Sequence, residues 1–189
     1  MFQSVYDYPY LSSSANHIFD ISCGIHKDST LYASTTVQKA KKNNVYNQMA
    51  QVLMGYDKDG SIQKFDEDGD LSAGTKITDA IFIPFSRLLV KDEIKKGSFS
   101  LELGVNQAYT ATTAVMSKRI KISDSGSATS YKVNSPAGEY GILVAESTAD
   151  GAGALTDPMI TGETITSNVS AGPKPAVGLI FYQAGVAVL

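Results

Sequence analysis

The sequence predicts a mainly β fold, either a β-sandwich or a barrel-like sheet, with one amphipathic helix near residues 35–54. Two observations carry this prediction. Short apolar runs and period-two alternation recur through the second half of the chain, separated by glycine, serine and asparagine. Only one segment shows convincing helical spacing. The chain has 189 residues, enough for one domain with a sizeable core, so we expect a single domain spanning residues 1–189.

The predicted helix is the segment "TTVQKAKKNNVYNQMAQVLM". Thr35 followed by Gln38 is typical of a capping box at a helix start, and Gly55 stands where a terminating glycine is expected. An apolar stripe and a lysine-rich face predict that the helix lies against a sheet or another chain. The stripe is formed by Val45, Met49, Val52 and Leu53.

Strands are predicted where the pattern alternates or where a short apolar run lies between turn residues. Pro84 predicts an edge position, a bulge or a break in its strand. The last two apolar runs flank Gln183-Ala184-Gly185, which is typical of a hairpin. The predicted strands are 16–26, 80–90, 98–104, 118–122, 139–145, 178–182 and 186–189.

Two segments are expected to lie outside this core. Residues 1–15 contain "YDYPY" and are interpreted as an extended N-terminal arm, and residues 147–175 are rich in small residues and are interpreted as a long surface loop. The apolar C-terminal strand is expected to be paired inside the sheet or covered by a neighbour, because an open apolar edge promotes association. The candidate partner contacts are Tyr6, Tyr8, Tyr10, Val186, Val188 and Leu189.

The stretch "DKDGSIQKFDEDGDL" raises the question of calcium. A helix-flanked calcium loop needs oxygen ligands at positions one, three and five, glycine at six and glutamate at twelve. Neither possible frame has the glycine: Ile62 stands at position six in one frame and Leu71 in the other. We therefore interpret the stretch as solvated acidic turns and expect no metal site. The weak candidates are Asp57, Asp59, Asp66, Asp68 and Asp70.

Other chemistry finds little support in the sequence. Cys23 and His26 have a spacing that metal ligands use, but a structural zinc needs four ligands and no second Cys or His cluster exists, so Cys23 is interpreted as a buried structural cysteine. No catalytic motif is present, so we expect no cofactor and no enzymatic activity. A net charge of −3 disfavours a nucleic-acid partner. No apolar run approaches about 18 residues, so no membrane partner is expected.

Several phrases of the chain resemble a known group of proteins. They are "YPYLSSSANHIFDIS", "VYNQMAQVL", "KFDEDGDL", "FSRLLVKDEIKKGSFSLELG" and "VGLIFYQAGVAVL". In these phrases the chain resembles virion structural proteins of tailed bacteriophages, especially contractile-tailed phages of aquatic bacteria. Such proteins belong to the tail and baseplate region. The resemblance carries no catalytic motif and so implies no functional residue.

The resemblance implies a non-enzymatic assembly subunit of the virion, in the tail or baseplate more than in the head, assembled in the host cytoplasm. Its expected partners are other copies of itself and other virion proteins, in a homo-oligomer or a repeated position of a symmetric assembly. Two alternatives stay open. One is a capsid decoration or neck protein, and the other is a calcium- or carbohydrate-dependent module that binds the host.

Overall fold

The computed structural model describes residues 2–7, 15–69, 71, 74–85, 92–104, 119–148, 164–165 and 174–189. Among these residues there is one helix, which two strands precede and only strands follow. The mainly β fold with one helix is confirmed. In chain order the elements are β1 (Phe2–Asp7), β2 (Asn16–Ile25), α1 (Val37–Leu53), β3 (Phe65–Asp66), β4 (Lys76–Ile77), β5 (Asp79–Pro84), β6 (Ser100–Gly104), β7 (Arg119–Ser123), β8 (Lys132–Ser135), β9 (Gly138–Thr148), β10 (Thr164–Ile165), β11 (Lys174–Phe181) and β12 (Val186–Val188).

Ten strands form one antiparallel sheet that curls into half a barrel. The strand order is β1-β2-β5-β12-β11-β9-β7-β6, with β10 beside β11 and β8 beside β9. Strands β3 and β4 form a separate pair. Of the two predicted architectures, the barrel-like sheet is therefore the nearer, although no described strand closes β1 onto β6. Both ends of the described sheet are edges.

The helix begins and ends close to the predicted positions. Its N-cap is Thr36, which makes no side-chain capping hydrogen bond, so the predicted capping box at Thr35 is wrong. Gly55 terminates the helix as predicted: its φ is +78°, and its N–H donates to the Ala50 carbonyl at 3.1 Å. Glycine suits that left-handed conformation because it has no Cβ to clash.

The buried face of α1 differs from the predicted stripe. Tyr46, Ala50 and Leu53 are buried and share one face at four- and three-residue steps. Val52 is 65% exposed, while Val45 and Met49 are only partly buried. The apolar pattern alone placed the face wrongly because a tyrosine with a polar hydroxyl lies at its centre.

Tyr46 joins the helix to the sheet. Its hydroxyl donates to the Ile77 carbonyl at 2.5 Å and accepts the Phe65 N–H at 3.4 Å. A Cβ added to Gly24 of β2 would lie 2.8 Å from the Tyr46 Cα and 2.7 Å from the Phe82 ring. The helix can approach β2 this closely only because residue 24 has no side chain.

The sheet is apolar on both faces. One cluster of buried side chains surrounds Tyr46 beneath the helix, and a second surrounds Tyr182 on the other face. Phe99, Leu101 and Leu103 pack on the second cluster, as their alternation predicts, while Ser100 and Glu102 are exposed. Strand β5 ends at Pro84, where the sequence predicts an edge, a bulge or a break, and residues 86–90 of the predicted strand lie outside the described residues.

The C-terminal hairpin lies in the middle of the sheet. Strands β11 and β12 pair through Phe181 and Val186, and β12 also pairs with β5, so the apolar terminal strand is paired inside the sheet. Val186 and Val188 are buried and face the first cluster, and Leu189 is partly buried against the second. The sheet itself covers the two valines, and they offer a neighbouring subunit almost no surface.

The two segments expected outside the core are described only in part. Residues 2–7 of the expected arm are strand β1, whose partner is β2 of the same chain, so this part is not a free arm. Tyr8 and Tyr10 lie outside the described residues. In the expected loop, β9 continues to Thr148, β10 pairs with the start of β11, and residues 149–163 and 166–173 lie outside the described residues.

Gly24→Ala is expected to destabilise the protein by about 1–3 kcal/mol, the usual cost of overpacking a core, because its methyl group would collide with the Tyr46 backbone. Chemical denaturation measures this change. The control is Cys23→Ala at the exposed neighbouring position, which should change stability by less than about 0.5 kcal/mol. Equal stability of the two variants would contradict the close approach of helix and strand.

Candidate functional site: a polar cavity and two acidic turns

A polar cavity of about 580 Å³ lies where the end of β2, helix α1 and the acidic stretch meet. Four segments line it. They contribute His26, Lys27 and Asp28 after β2, Asn47 on α1, Asp57, Ser61, Ile62, Gln63 and Lys64 before β3, and Leu71 and Lys76 around β4. Because α1 is fixed by Tyr46, the same contact that positions the helix also fixes one wall of this cavity.

His26 is the most buried polar side chain lining the cavity, with 7% of its surface exposed. Its ring packs edge-on against Tyr46, with 5.2 Å between ring centroids. The backbone N–H of Asp28 donates to Nδ1 at 3.1 Å, so the neutral ring carries its proton on Nε2. Burial, assisted by the positive charge of Lys64, lowers the pKa of His26 and favours this neutral form.

Lys64 and Asp28 form an ion pair across the cavity wall. The hydrogen bond from the Lys64 ammonium is the largest of the effects that lower the pKa of Asp28. Both side chains are substantially exposed, so this pair sets the local charge more than it stabilises the fold. Lys27 and Asp57 also line the cavity, so its wall carries both positive and negative charges.

The first acidic turn, residues 57–61, satisfies its own carboxylate. Asp57 Oδ1 accepts the backbone N–H groups of Asp59 at 2.9 Å and Ser61 at 2.8 Å. The Asp57 N–H donates to the Ser61 carbonyl at 2.8 Å, and Gly60 supplies a φ of +78°. This is the Asx-type turn that the Asp-Gly sequence favours. Oδ1 of Asp57 is therefore satisfied by the backbone of its own turn.

The second acidic turn, which begins at Asp66, has a different environment. Asp66 is fully buried; its Oδ2 accepts the Leu71 N–H at 3.1 Å and pairs with the Lys76 ammonium. Its Oδ1 is buried and finds no hydrogen-bond donor in the described part of the chain. Burial, followed by the hydrogen-bonding and charge effects of Asp68, raises the pKa of Asp66 against the opposing effect of Lys76. Asp70 lies outside the described residues.

The candidate metal and nucleophile residues are not brought together. Within the described residues, no three His, Cys, Asp or Glu side chains form a group that could hold a metal. Cys23 is exposed, so the prediction of a buried cysteine is wrong, and its neighbour His26 is buried against the helix.

No described helix has the length and apolar character needed to cross a membrane.

A serine, an aspartate and a histidine do meet near the sheet edge, in an order unlike that of a nucleophilic triad. Asp20 Oδ1 accepts the Ser4 hydroxyl at 2.6 Å and lies 2.8 Å from His17 Nε2. In a triad the histidine must stand between the hydroxyl and the carboxylate in order to take the proton. Here the carboxylate stands between them, and the Ser4–Asp20 hydrogen bond ties β1 to β2.

Strand β1 is the outer strand of the described sheet and carries two exposed aromatic side chains. Phe2 is 70% exposed and Tyr6 is 50% exposed, although the Tyr6 ring also packs edge-on against His17. Tyr6, predicted from the sequence as a partner contact, is therefore accessible. Phe2 was missed, although an apolar residue at an exposed chain start was visible in the sequence.

The cavity could not be found from the sequence. Its lining comes from positions as far apart as His26 and Lys76, which only the fold brings together. Comparison with known proteins adds no further assignment: no family model, curated protein or solved structure matches this chain.

Lys64→Met is expected to lower the melting temperature slightly at neutral pH and to have less effect in acid. The pKa of Asp28 is lower in the folded protein than in the unfolded chain. The ion pair therefore stabilises the fold at pH values above the unfolded-state pKa, and this stabilisation is lost as the pH falls through the folded-state pKa. Thermal melts from neutral pH to about pH 2, below the usual Asp range, measure this. The control is Lys58→Met on the exposed first turn; a Lys64→Met effect that is independent of pH would contradict the assignment.

Proposed function

We propose that this chain is a non-enzymatic structural subunit of a tailed bacteriophage, positioned in the tail or baseplate and acting through protein–protein contacts. The observation that carries the proposal is the outer strand β1 with its exposed aromatic side chains. The resemblance of several sequence phrases to phage virion proteins supplies the kind of assembly.

The outer strand is suited to binding another strand. Strand β1 pairs with β2 along one side only, and no described strand pairs with its other side. The unused N–H and C=O groups of such an edge form hydrogen bonds with an added strand, and alternate side chains supply specificity. Phe2 and Tyr6 would then bury apolar surface against the neighbour.

The partner is first of all a second copy of this chain, and then other proteins of the same particle. A repeated subunit in a symmetric assembly gains affinity because many modest contacts act together. The buried C-terminal hairpin supports this arrangement indirectly: with β12 inside the sheet, association falls to the edge strands, and β1 is the edge strand with exposed Phe2 and Tyr6. On this proposal the protein is a virion component.

The arrangement of polar side chains supports a structural rather than an enzymatic role. The Ser4 hydroxyl donates to Asp20 and so holds the outer strand on the sheet, while His17 contacts the same carboxylate from within β2. The neutral His26 and the paired Lys64 line a cavity that could accept a polyhydroxylated ligand such as a sugar, because each hydroxyl both donates and accepts. A host-binding module that recognises carbohydrate is therefore the second candidate function.

Gold labelling of the protein on purified phage particles from its source tests the proposal. Label at the tail tip or baseplate is expected, and label on the capsid or at its tail junction would favour the decoration or neck alternative. Absence of label, together with absence of the protein from peptide mass spectra of the virion, would contradict a structural role altogether.

Phe2→Glu is expected to weaken self-association about tenfold or more, because burial of a phenylalanine contributes about 1.5–3 kcal/mol. Sedimentation equilibrium over a range of concentrations measures the change, and circular dichroism checks the fold. The control is Val37→Glu, which alters a side chain with a similar exposure of 69% on the helix. Equal association of both variants and the wild type would contradict a contact through the outer strand.

A further inference from the structure

Most charged side chains of the polar cavity are already paired within the chain. Lys64 forms an ion pair with Asp28, and Lys76 forms one with the buried Asp66. The third lysine of the lining, Lys27, is exposed to water. A charged ligand therefore gains little at this wall, because exposed or already balanced charges contribute little to binding. The groups left to select a ligand are the uncharged ones.

His26 contributes a buried hydrogen-bond donor to the cavity. Its side chain lines the cavity, although only 7% of the residue is exposed. Nδ1 accepts the Asp28 N–H, so the neutral ring carries its proton on Nε2, and the lowered pKa favours that neutral form. Nε2 has no hydrogen-bond partner in the described part of the chain. Because buried polar groups normally have a partner, this donor indicates an acceptor from outside the chain.

Two side-chain amides also line the cavity. Asn47 donates to Asn43 Oδ1 at 3.2 Å, and Asn43 donates in turn to the Ile25 carbonyl at 3.0 Å, so α1 holds Asn47 beside the end of β2. The amide oxygen of Asn47 has no partner among the described residues. The Gln63 side chain likewise has none, while its backbone N–H donates to the Gly55 carbonyl at 3.0 Å. The wall thus offers a ligand both donors and acceptors.

The apolar part of the wall is aliphatic. Ile62 and Leu71 line the cavity and pack, partly buried, on the first cluster. Leu71 has a φ of +66° and is the one non-glycine residue in the described ranges with a positive φ. That conformation is strained for a bulky side chain, and such strain occurs preferentially at ligand sites. No phenylalanine or tyrosine of the described residues lines the cavity, so the wall suits a methyl group better than the flat face of a sugar ring.

We propose that the polar cavity binds an N-acetylated amino sugar and recognises its acetamido group. The acetamido carbonyl accepts the His26 Nε2–H, and the acetamido N–H donates to the Asn47 amide oxygen. The methyl group packs on Ile62 and Leu71, and the Gln63 amide binds a ring hydroxyl. The volume of about 580 Å³ lies in the range of small-ligand sites. This inference rests on the second candidate function, carbohydrate binding, and narrows it to one class of sugar.

A short peptide also carries amide groups, but the wall is built for a compact ligand. Peptides are commonly bound as an added strand along an extended sheet edge. Among the described lining residues only Lys76 lies on a strand, the two-residue β4, while the others lie on α1 or in connections. The described wall therefore offers no long strand edge, which favours the sugar over the peptide.

Isothermal titration calorimetry of the wild-type chain with matched sugars tests the proposal. N-acetylglucosamine, N-acetylgalactosamine and N-acetylmannosamine are each compared with the parent hexose, which has a hydroxyl in place of the acetamido group. At least one N-acetylated sugar is expected to bind with a Kd on the order of 1 mM, a value consistent with its size, and about tenfold or more tightly than its hexose. N-acetylglycinamide serves as the peptide-like probe.

The outcomes separate this inference from the functions proposed above. Equal binding of the N-acetylated sugars and the hexoses would overturn acetamido recognition but leave carbohydrate binding intact. Binding of N-acetylglycinamide as tight as that of the best sugar would overturn the sugar in favour of a peptide. Binding of none of these compounds would overturn both the inference and the carbohydrate candidate. The assembly role is measured separately, by sedimentation of Phe2→Glu.

Two asparagine variants of α1 assign binding to the cavity. Asn47→Ala removes the proposed acceptor and is expected to weaken binding about tenfold. Asn44→Ala changes an exposed asparagine of the same helix, outside the cavity lining, and should bind as the wild type does. Circular dichroism and thermal melting check that the variants fold. Gln63→Ala gives a second test position off the helix, and unchanged affinity in both Asn47→Ala and Gln63→Ala would overturn the proposal.

Discussion

The contact between Tyr46 and the sheet is the constraint on which the rest of the structure depends. Gly24 lets the helix approach β2, and the Tyr46 hydroxyl donates to the Ile77 carbonyl of β4. The helix, β2 and the small β3-β4 pair are thereby held as one unit. The cavity lies between these elements, so its shape follows from the packing beneath it.

The arrangement of apolar strands decides where the protein can associate. The most apolar strand of the sequence, β12, lies between β11 and β5 and is buried. The outer strand β1 is more polar, but its exposed Phe2 and Tyr6 lie beside an edge that no described strand covers. An inner position for the apolar strand protects the chain from non-specific aggregation. Of the two edges of the described sheet, the one at β1 carries these exposed aromatic side chains.

Local patterns predicted the elements well, while positions set by tertiary contacts escaped them. Alternation at Phe99, Leu101 and Leu103 predicted the buried face of β6 because burial on a strand follows period two. The face of α1 was misplaced because the Tyr46 hydroxyl is satisfied inside the core by Ile77 and Phe65, and hydropathy does not register such hydrogen bonds. The two acidic turns could not be told apart because burial of Asp66 and its contact with Lys76 depend on the folded chain.

Amide hydrogen exchange of β1 in the free protein and in the assembled particle tests the central claim most directly, that the outer strand is the assembly contact. The account predicts that the amides of Phe2–Asp7 that point away from β2 exchange rapidly in the free protein and slowly in the particle, because the added strand protects them. Strand β12 should be protected in both states and serves as the internal reference. Equal exchange of β1 in the two states would contradict the account.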